Sequence, residues 1–155
     1  DRLIAFKRGA DGKPVWNERY RNYDTATRYY NYDSAAGIVY TVDVTKPVGS
    51  RVVIASMADG KPFEPAKTYS VAINSYRAQG GGGHLVTGAK MNDAEVKAMK
   101  GVTSSTIKDL RYYIMKWIEA QTATLEPKPN GNWKIVPEAW AEKGKKTDMP
   151  LLYGQ

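Results

Sequence analysis

The feature that most constrains the fold is an alternating apolar segment followed, after a short break, by a β-branched one. In the segment 38–44 apolar residues stand at every second position, whereas Thr41 and Asp43 point to the opposite side. This period of two is typical of a half-buried β-strand. After the strand-breaking sequence Thr45–Gly49, the segment Arg51–Ser56 resumes as a second strand. A strand–turn–strand unit is therefore predicted here.

Shorter strands are predicted on both sides of this unit. Apolar or alternating residues bounded by turn residues indicate them, with Asp59-Gly60 as one such turn. Upstream, Gly9–Gly12 is predicted to turn one short strand into the next, as in a hairpin. The predicted strands are Leu3–Phe6, Val15–Trp16, Tyr69–Asn74 and Trp133–Val136.

The second half of the chain favours helices. Asn92 and Asp93 are suitable N-caps for a short helix that runs to about Met99. A longer helix is predicted after Ser104–Thr106, where Thr106 and Asp109 have the spacing of a capping box. Its apolar stripe predicts a helix that lies on the sheet, with Trp117 in the core. The stripe consists of Ile107, Leu110, Ile114, Trp117 and Ile118.

The order of these elements predicts the fold class. Strands come first and helices afterwards, with a helical turn at Pro137–Ala141 near the end. This order favours an α+β fold with a mixed or antiparallel sheet and helices packed on it.

Composition bounds the chemistry. The 155 residues suit one ordinary domain, and no apolar run approaches the length of a transmembrane helix. The absence of cysteine excludes disulfides, thiolate metal sites and cysteine nucleophiles, and a single histidine disfavours a dedicated metal site. The net charge of +7 favours anionic partners, although a domain that is merely basic fits equally well. The start at Asp1-Arg2, with neither Met nor a signal peptide, indicates a processed or engineered fragment.

A run of four glycines, Gly80–Gly83, is the strongest local motif. It follows the predicted strand Tyr69–Asn74, and glycines in a row indicate that something approaches the backbone closely. Tyr76 and Arg77 stand just before it, so a flat ring and an anion would both find partners. The alternative is a floppy surface turn without a ligand. His84 at its edge is either a general base or polar contact, or a structural histidine that forms hydrogen bonds.

A second motif is the tyrosine- and arginine-rich segment Arg19–Asp33, predicted as loop with some extended pieces. Aromatic rings that take bases and arginines that take phosphates are typical of single-stranded nucleic-acid binding. A non-enzymatic module that binds nucleic acid or glycans is therefore the alternative function. Tyrosines that pack at a sheet edge explain the same segment without a ligand. Carboxylates form no paired motif, so no catalytic residue is predicted.

Two stretches carry a family resemblance. Asp33–Val52 and Tyr69–His84 resemble, in order and spacing, two segments of the 5'-nucleotidase C-terminal domain, in the variant of Bacteroides-like bacterial nucleotidases and cyclic phosphodiesterases. The resemblance implies that residues 1–155 are one substrate-specificity domain. It also implies that the N-terminal part of this domain and the catalytic metallophosphoesterase domain are absent from the chain.

The same resemblance implies roles for individual residues. Family members hold the nucleobase between two aromatic side chains, and Tyr76 occupies the place of the second. Gly82 stands where the family has an aspartate that binds the ribose hydroxyls, and His84 stands where an aromatic residue is usual. Proximity alone suggests Arg77 or Gln79 as contacts to sugar or phosphate. The expected substrate-binding residues are Tyr76, Arg77, Gln79, Gly80, Gly81, Gly82, Gly83 and His84.

For the parent protein the resemblance implies a 5'-nucleotidase or 2',3'-cyclic-nucleotide phosphodiesterase, located in the periplasm, at the cell surface or outside the cell. Two divalent metal ions are implied for its missing catalytic domain. No cofactor is expected for this chain, and the chain alone is expected to be inactive. The expected partners are a nucleotide or nucleoside and the metallophosphoesterase domain. An unpaired strand edge would in addition be a template for pairing with a second copy, giving a homo-oligomer.

Overall fold

The computed structural model describes residues 4–99 and 108–153, and the chain divides into two compact units. The first unit combines Asp1–Ala66 with Pro129–Gln155, and the second is Lys67–Lys128. The first contains the sheet, and the second contains the glycine run.

A three-stranded mixed sheet organises the first unit. β3 (Ile38–Asp43) pairs with β4 (Val52–Met57) in antiparallel fashion and with β5 (Trp133–Val136) in parallel fashion, in the order β4-β3-β5. The strand–turn–strand prediction and the late strand are confirmed. The Asp59-Gly60 turn is also present, with Gly60 at φ +82°. A mixed sheet with helices confirms the α+β fold class.

The core of this unit lies around Tyr40 on the central strand. Tyr40 is 7% exposed and stacks on Trp133 of β5, with ring centroids 5.9 Å apart and ring planes at 10°. Its hydroxyl accepts a hydrogen bond from the Ala35 N–H at 3.2 Å. Burying a side chain of this size contributes on the order of 1.5–3 kcal/mol, and the hydroxyl keeps a partner as buried polar groups require.

The N-terminal segment forms short antiparallel pairings. β1 (Trp16–Asn17) pairs with β2 (Asn22–Tyr23), and isolated bridges join Arg8 to Pro14 and Phe6 to Thr25. The predicted turn at Gly9–Gly12 is confirmed, because the Gly9 N–H donates to the Lys13 carbonyl at 2.9 Å. The tyrosine-rich segment is mostly loop, as predicted, with β2 and a 3-10 turn at Tyr29–Asn31 inside it.

Helix α4 (Glu138–Tyr153) packs against β5 and β2. Only a helical turn at Pro137–Ala141 was predicted, because the charged segment that follows lacks a broad apolar stripe. Asp148 on this helix is 1% exposed and accepts a hydrogen bond from the Ile4 N–H at 2.9 Å. This tertiary contact joins the start of the described chain to its last helix.

The second unit contains α1 (Ser75–Ala78), α2 (Asp93–Met99) and α3 (Leu110–Glu119). The predicted cap at Asn92 is confirmed as a capping box: Asn92 Oδ1 accepts from the Glu95 N–H at 3.0 Å, and Glu95 Oε2 accepts from the Asn92 N–H at 2.7 Å. The N-cap of α3 is Asp109, whose side chain accepts from the Tyr112 N–H at 3.0 Å. The predicted start at Ser104–Thr106 and the stripe residue Ile107 lie outside the described residues.

The predicted strand Tyr69–Asn74 is wrong. This segment has no strand partner among residues 4–99 and 108–153, and Val71 and Ile73 are 71% and 45% exposed. Alternation shows that a segment fits a sheet, but a strand also needs a neighbouring strand to bond. Asn74 instead takes an extended conformation and caps α1.

The prediction that Trp117 is a core residue is also wrong. All residues of α3 are exposed, and Trp117 is 59% exposed. The helical spacing of the apolar residues was read correctly, but a stripe identifies a face and does not identify what covers it.

Within the described parts of the chain, no helix combines the length and apolarity that crossing a bilayer requires.

Candidate functional site

Helix α1 presents Tyr76 to solvent next to the glycine run. The helix begins after Asn74, whose side-chain oxygen accepts a hydrogen bond from the Arg77 N–H at 2.9 Å. Such a cap satisfies one of the N–H groups that the first turn leaves without an intrahelical partner. Tyr76 is the second residue of this turn and is 60% exposed.

The ring of Tyr76 lies directly against the backbone of Gly81. A Cβ atom added at Gly81 would be 2.5 Å from Tyr76 Cε2, 2.6 Å from Cζ and 2.6 Å from the Tyr76 carbonyl oxygen. No side chain fits at these distances, because carbon atoms in contact stand about 3.5–4.0 Å apart. The close approach that the glycines predicted is therefore present, and it is made by the chain's own tyrosine.

Arg77 contacts both the glycine turn and the ring of Tyr76. Its side chain is buried, with the residue 9% exposed, and its guanidinium donates to the Gly81 carbonyl at 3.3 Å. The guanidinium carbon also lies 5.3 Å from the centroid of the Tyr76 ring, within the range of a cation–π contact. Arg77 thus contacts both the aromatic ring and the turn that supports it.

The remaining glycines are required by backbone conformation. Gly80, Gly82 and Gly83 have φ values of +89°, +78° and +78°, where side chains other than glycine's are strained. A 3-10 turn at Gly81–Gly83 leads directly into a π-helical turn at His84–Gly88. The run therefore takes a defined backbone path that depends on glycine at three of its four positions.

The other predicted site residues lie around this turn. Gln79 is exposed and caps the C-terminus of α1, with its N–H directed at the Ser75 carbonyl at 3.1 Å. His84 is half-buried at the start of the π-helical turn. Its backbone carbonyl accepts a hydrogen bond from the Ala89 N–H at 2.9 Å. The structure thus brings Tyr76, Arg77 and Gly81 into mutual contact, and it keeps Gln79 on the surface.

Sequence reasoning missed two supporting features of the site. Helix α1 was not predicted, although the Asn74 cap three residues before Arg77 is a recognisable signal. Val96 of α2 is 5% exposed and packs next to Gly80. A Cβ atom added at Gly80 would lie 3.8 Å from the Val96 side chain and 3.4 Å from that of Val86. Nothing in the sequence pairs Val96 with the turn, because the contact depends on how α2 folds back.

The donor set for a metal ion is missing from what the structure describes. Among residues 4–99 and 108–153, no three histidine or acidic side chains come together in a group that would hold one.

Comparison with protein families identifies a match over two of the three strands of the sheet and over the glycine turn. The 5'-nucleotidase C-terminal domain family matches residues 11–90. This range includes β1 to β4, α1 and all four glycines.

Curated proteins with related sequences are nucleotide phosphoesterases by name. The trifunctional nucleotide phosphoesterase protein YfkN of Bacillus subtilis is 33% identical over 144 residues, covering 84% of this chain and 8% of that protein. The 2',3'-cyclic-nucleotide 2'-phosphodiesterase/3'-nucleotidases of Salmonella typhimurium and Haemophilus influenzae are 27% and 26% identical over 124 residues each, covering 71% of this chain. The matches span 18% and 17% of these two proteins, so the chain corresponds to less than a fifth of each relative.

No solved structure matches the chain. The assignment therefore stands on the family match, which covers just over half of the chain, and on relatives that align with most of it. The chain belongs to the 5'-nucleotidase C-terminal domain family.

Proposed function

We propose that this chain recognises the base of a nucleotide for a nucleotide phosphoesterase, with the face of Tyr76 as the stacking surface. The hydrolytic step is assigned to a metallophosphoesterase domain of the parent protein, whose two metal ions would polarise the phosphate and activate water. The names of the related proteins support this class of substrate.

One observation carries the proposal: Tyr76 packs on the glycine turn and on Arg77 and yet is exposed. Its ring rests on Gly81 and on the Arg77 guanidinium, while 60% of the residue remains accessible to solvent. A ring that is already ordered loses little conformational freedom when a base stacks on it. Stacking of a base on an aromatic side chain is worth about 1–3 kcal/mol and tolerates any base.

The roles of the neighbouring residues follow from their exposure. Because Arg77 is buried and bonded to Gly81, we assign it the positioning of Tyr76 and the turn instead of the contact to sugar or phosphate suggested by its place in the sequence. Gln79 is exposed beside the same turn and remains the proposed polar contact.

Gly82 bears on how the site recognises the sugar. It carries no side chain where the family has an aspartate for the ribose hydroxyls, and its φ of +78° disfavours most replacements. We therefore propose that the site does not distinguish ribose from deoxyribose, so that adenosine and 2'-deoxyadenosine bind with the same affinity.

A nuclear magnetic resonance titration with adenosine tests the proposal. Saturable shifts are expected at Tyr76 and at Gly80–Gly83, and they are expected to disappear in Tyr76→Ala and persist in Tyr76→Phe. Tyr113→Ala is the matched control, since it removes another exposed tyrosine from the same unit, 41% exposed on α3. Absence of shifts at millimolar adenosine, or shifts that survive in Tyr76→Ala, would refute the assignment of Tyr76.

A further inference from the structure

A cavity lies in the first unit, among tyrosines that the glycine-turn site does not use. It has a volume of about 400 Å³ and is formed by β1, β2, the 3-10 turn and the adjacent strand-like segment around Lys7. Its lining includes Tyr20, Tyr29 and Tyr30 together with Lys7, Asp24 and Arg28. All of these belong to one compact unit.

Hydrogen bonds define the shape of this cavity. Asn17 Oδ1 accepts from the N–H groups of Arg19 and Tyr20 at 3.1 and 3.2 Å, and its Nδ2 donates to Asp24 at 2.9 Å. Asp24 also accepts from the Lys7 ammonium at 3.4 Å, and its backbone pairs with Lys7 and Val15. The cavity is therefore bounded by a bonded framework around Asn17 and Asp24.

Aromatic side chains are exposed around this framework. Tyr20, Tyr29 and Tyr30 are 60%, 49% and 57% exposed, and the rings of Tyr29 and Tyr30 meet edge to face at 5.7 Å. Clustered exposed aromatic rings beside a cavity are a common feature of binding surfaces.

A cation is held beside these rings. The Arg28 guanidinium donates to the Tyr30 hydroxyl and lies 5.7 Å from the centroid of the Tyr30 ring. The arginine is exposed, and its remaining N–H groups are suited to the oxygens of a phosphate. Lys7, 57% exposed at the side chain, adds a second positive charge, whereas Asp24 is the one acidic group in the lining.

We propose that this cavity binds a nucleoside phosphate, with the base against Tyr20, Tyr29 or Tyr30 and the phosphate at Arg28. The ligand chemistry is shared by a free mononucleotide and by the end of a single-stranded oligonucleotide. The site is independent of Tyr76 and does not rest on the function proposed for the glycine turn.

The test is a titration of the full chain carrying Tyr76→Ala, which removes the other stacking residue. Adenosine 5'-monophosphate is expected to produce saturable amide shifts at residues 17–31, and adenosine to bind there about tenfold more weakly. Arg28→Ala is expected to reduce the affinity for the monophosphate to that for adenosine. A variant that combines Tyr20→Ala, Tyr29→Ala and Tyr30→Ala is expected to weaken both ligands about 5- to 150-fold, the range that stacking on one aromatic ring supplies.

Matched controls separate a specific site from general attraction to a basic chain. Arg111→Ala removes the same charge from an exposed position on α3 and is expected to leave the affinity unchanged. No shifts at millimolar monophosphate, equal weakening by Arg111→Ala and Arg28→Ala, or equal binding of adenosine and its monophosphate would each overturn the proposal. Saturation of the same residues by a chito-oligosaccharide instead of the monophosphate would assign the cavity to a glycan and overturn it as well.

A short oligoadenylate distinguishes the two sources of the ligand. Tighter binding than the monophosphate, with affinity that falls steeply as salt rises, would identify single-stranded nucleic acid as the partner. Equal affinity with a shallow dependence on salt would identify a free mononucleotide. Both results support a nucleoside phosphate site at Arg28.

Discussion

Replacing Gly81 by alanine tests whether the glycine turn and Tyr76 form one tightly packed unit. The new Cβ would stand 2.5 Å from Tyr76 Cε2 and 2.6 Å from the Tyr76 carbonyl oxygen, roughly 1 Å inside normal contact. Rotation of the tyrosine side chain relieves the first contact but leaves the second, because the second involves backbone. The turn or α1 must therefore shift.

The expected cost is that of inserting a methyl group into a closely packed place, about 1–3 kcal/mol. Gly88→Ala is the matched control in the same loop. Its φ does not lie in the positive region, and its Cβ would have the Gly83 carbonyl oxygen as nearest neighbour at 3.8 Å, an ordinary contact. We expect Gly88→Ala to be neutral or slightly stabilising, because alanine loses less backbone entropy than glycine on folding.

Urea denaturation followed by circular dichroism measures both free energies of unfolding, and adenosine titration measures the consequence for the site. Gly81→Ala is expected to be less stable than Gly88→Ala by at least about 1 kcal/mol and to bind adenosine more weakly. A difference of less than about 0.5 kcal/mol, the usual range for surface substitutions, would show that the ring does not rest on Gly81. The reasoning that ties the glycine turn to Tyr76 would then be refuted.

Three further predictions concern the rest of the chain. Asp148→Ala leaves the Ile4 N–H without its buried acceptor, so it is expected to lower the free energy of unfolding in urea denaturation by about 1–3 kcal/mol. Glu142→Ala, at an exposed position of the same helix, is the control and is expected to have little effect. Trp117→Ala is expected to change that free energy by less than about 0.5 kcal/mol, since the residue is exposed; a loss of several kcal/mol would restore Trp117 to a core. The hydrogen bond from Asn17 lowers the pKa of Asp24, so Asn17→Ala should raise this pKa toward its ordinary value. The stabilisation by ionised Asp24 is present above the unfolded-state pKa and is lost as the pH falls through the folded-state pKa, so in this variant it would be lost at a higher pH than in the unaltered chain. A carboxyl ¹³C titration of Asp24 that is the same in both proteins would contradict this.

The sheet was predictable because its information is local. Alternation at Ile38–Asp43, the break at Thr45–Gly49 and the β-branched run after Arg51 each indicate structure within a few residues. The Asn92 cap was predictable for the same reason, since a capping box is closed by residues three positions apart. The parallel pairing of β3 with β5 was not, because it joins residues more than 90 positions apart.

The two errors have a common physical origin. Tyr69–Asn74 alternates and α3 has an apolar stripe, yet both remain exposed. Periodicity reports which side chains share a face, whereas burial depends on a partner surface that another part of the chain must supply. Among the described residues, no partner surface buries Val71 or Trp117.

For the candidate site, the sequence by itself indicated which residues to consider, and the tertiary structure decided which of them are in contact. Four consecutive glycines next to an aromatic residue and a cation indicated a close approach to the backbone, and three of the glycines adopt positive φ values. Only the folded turn placed the Tyr76 ring on Gly81 and buried Arg77 behind it, because those contacts depend on the direction in which α1 leaves the turn. Composition and spacing are properties of the chain, whereas contact and exposure are properties of its fold.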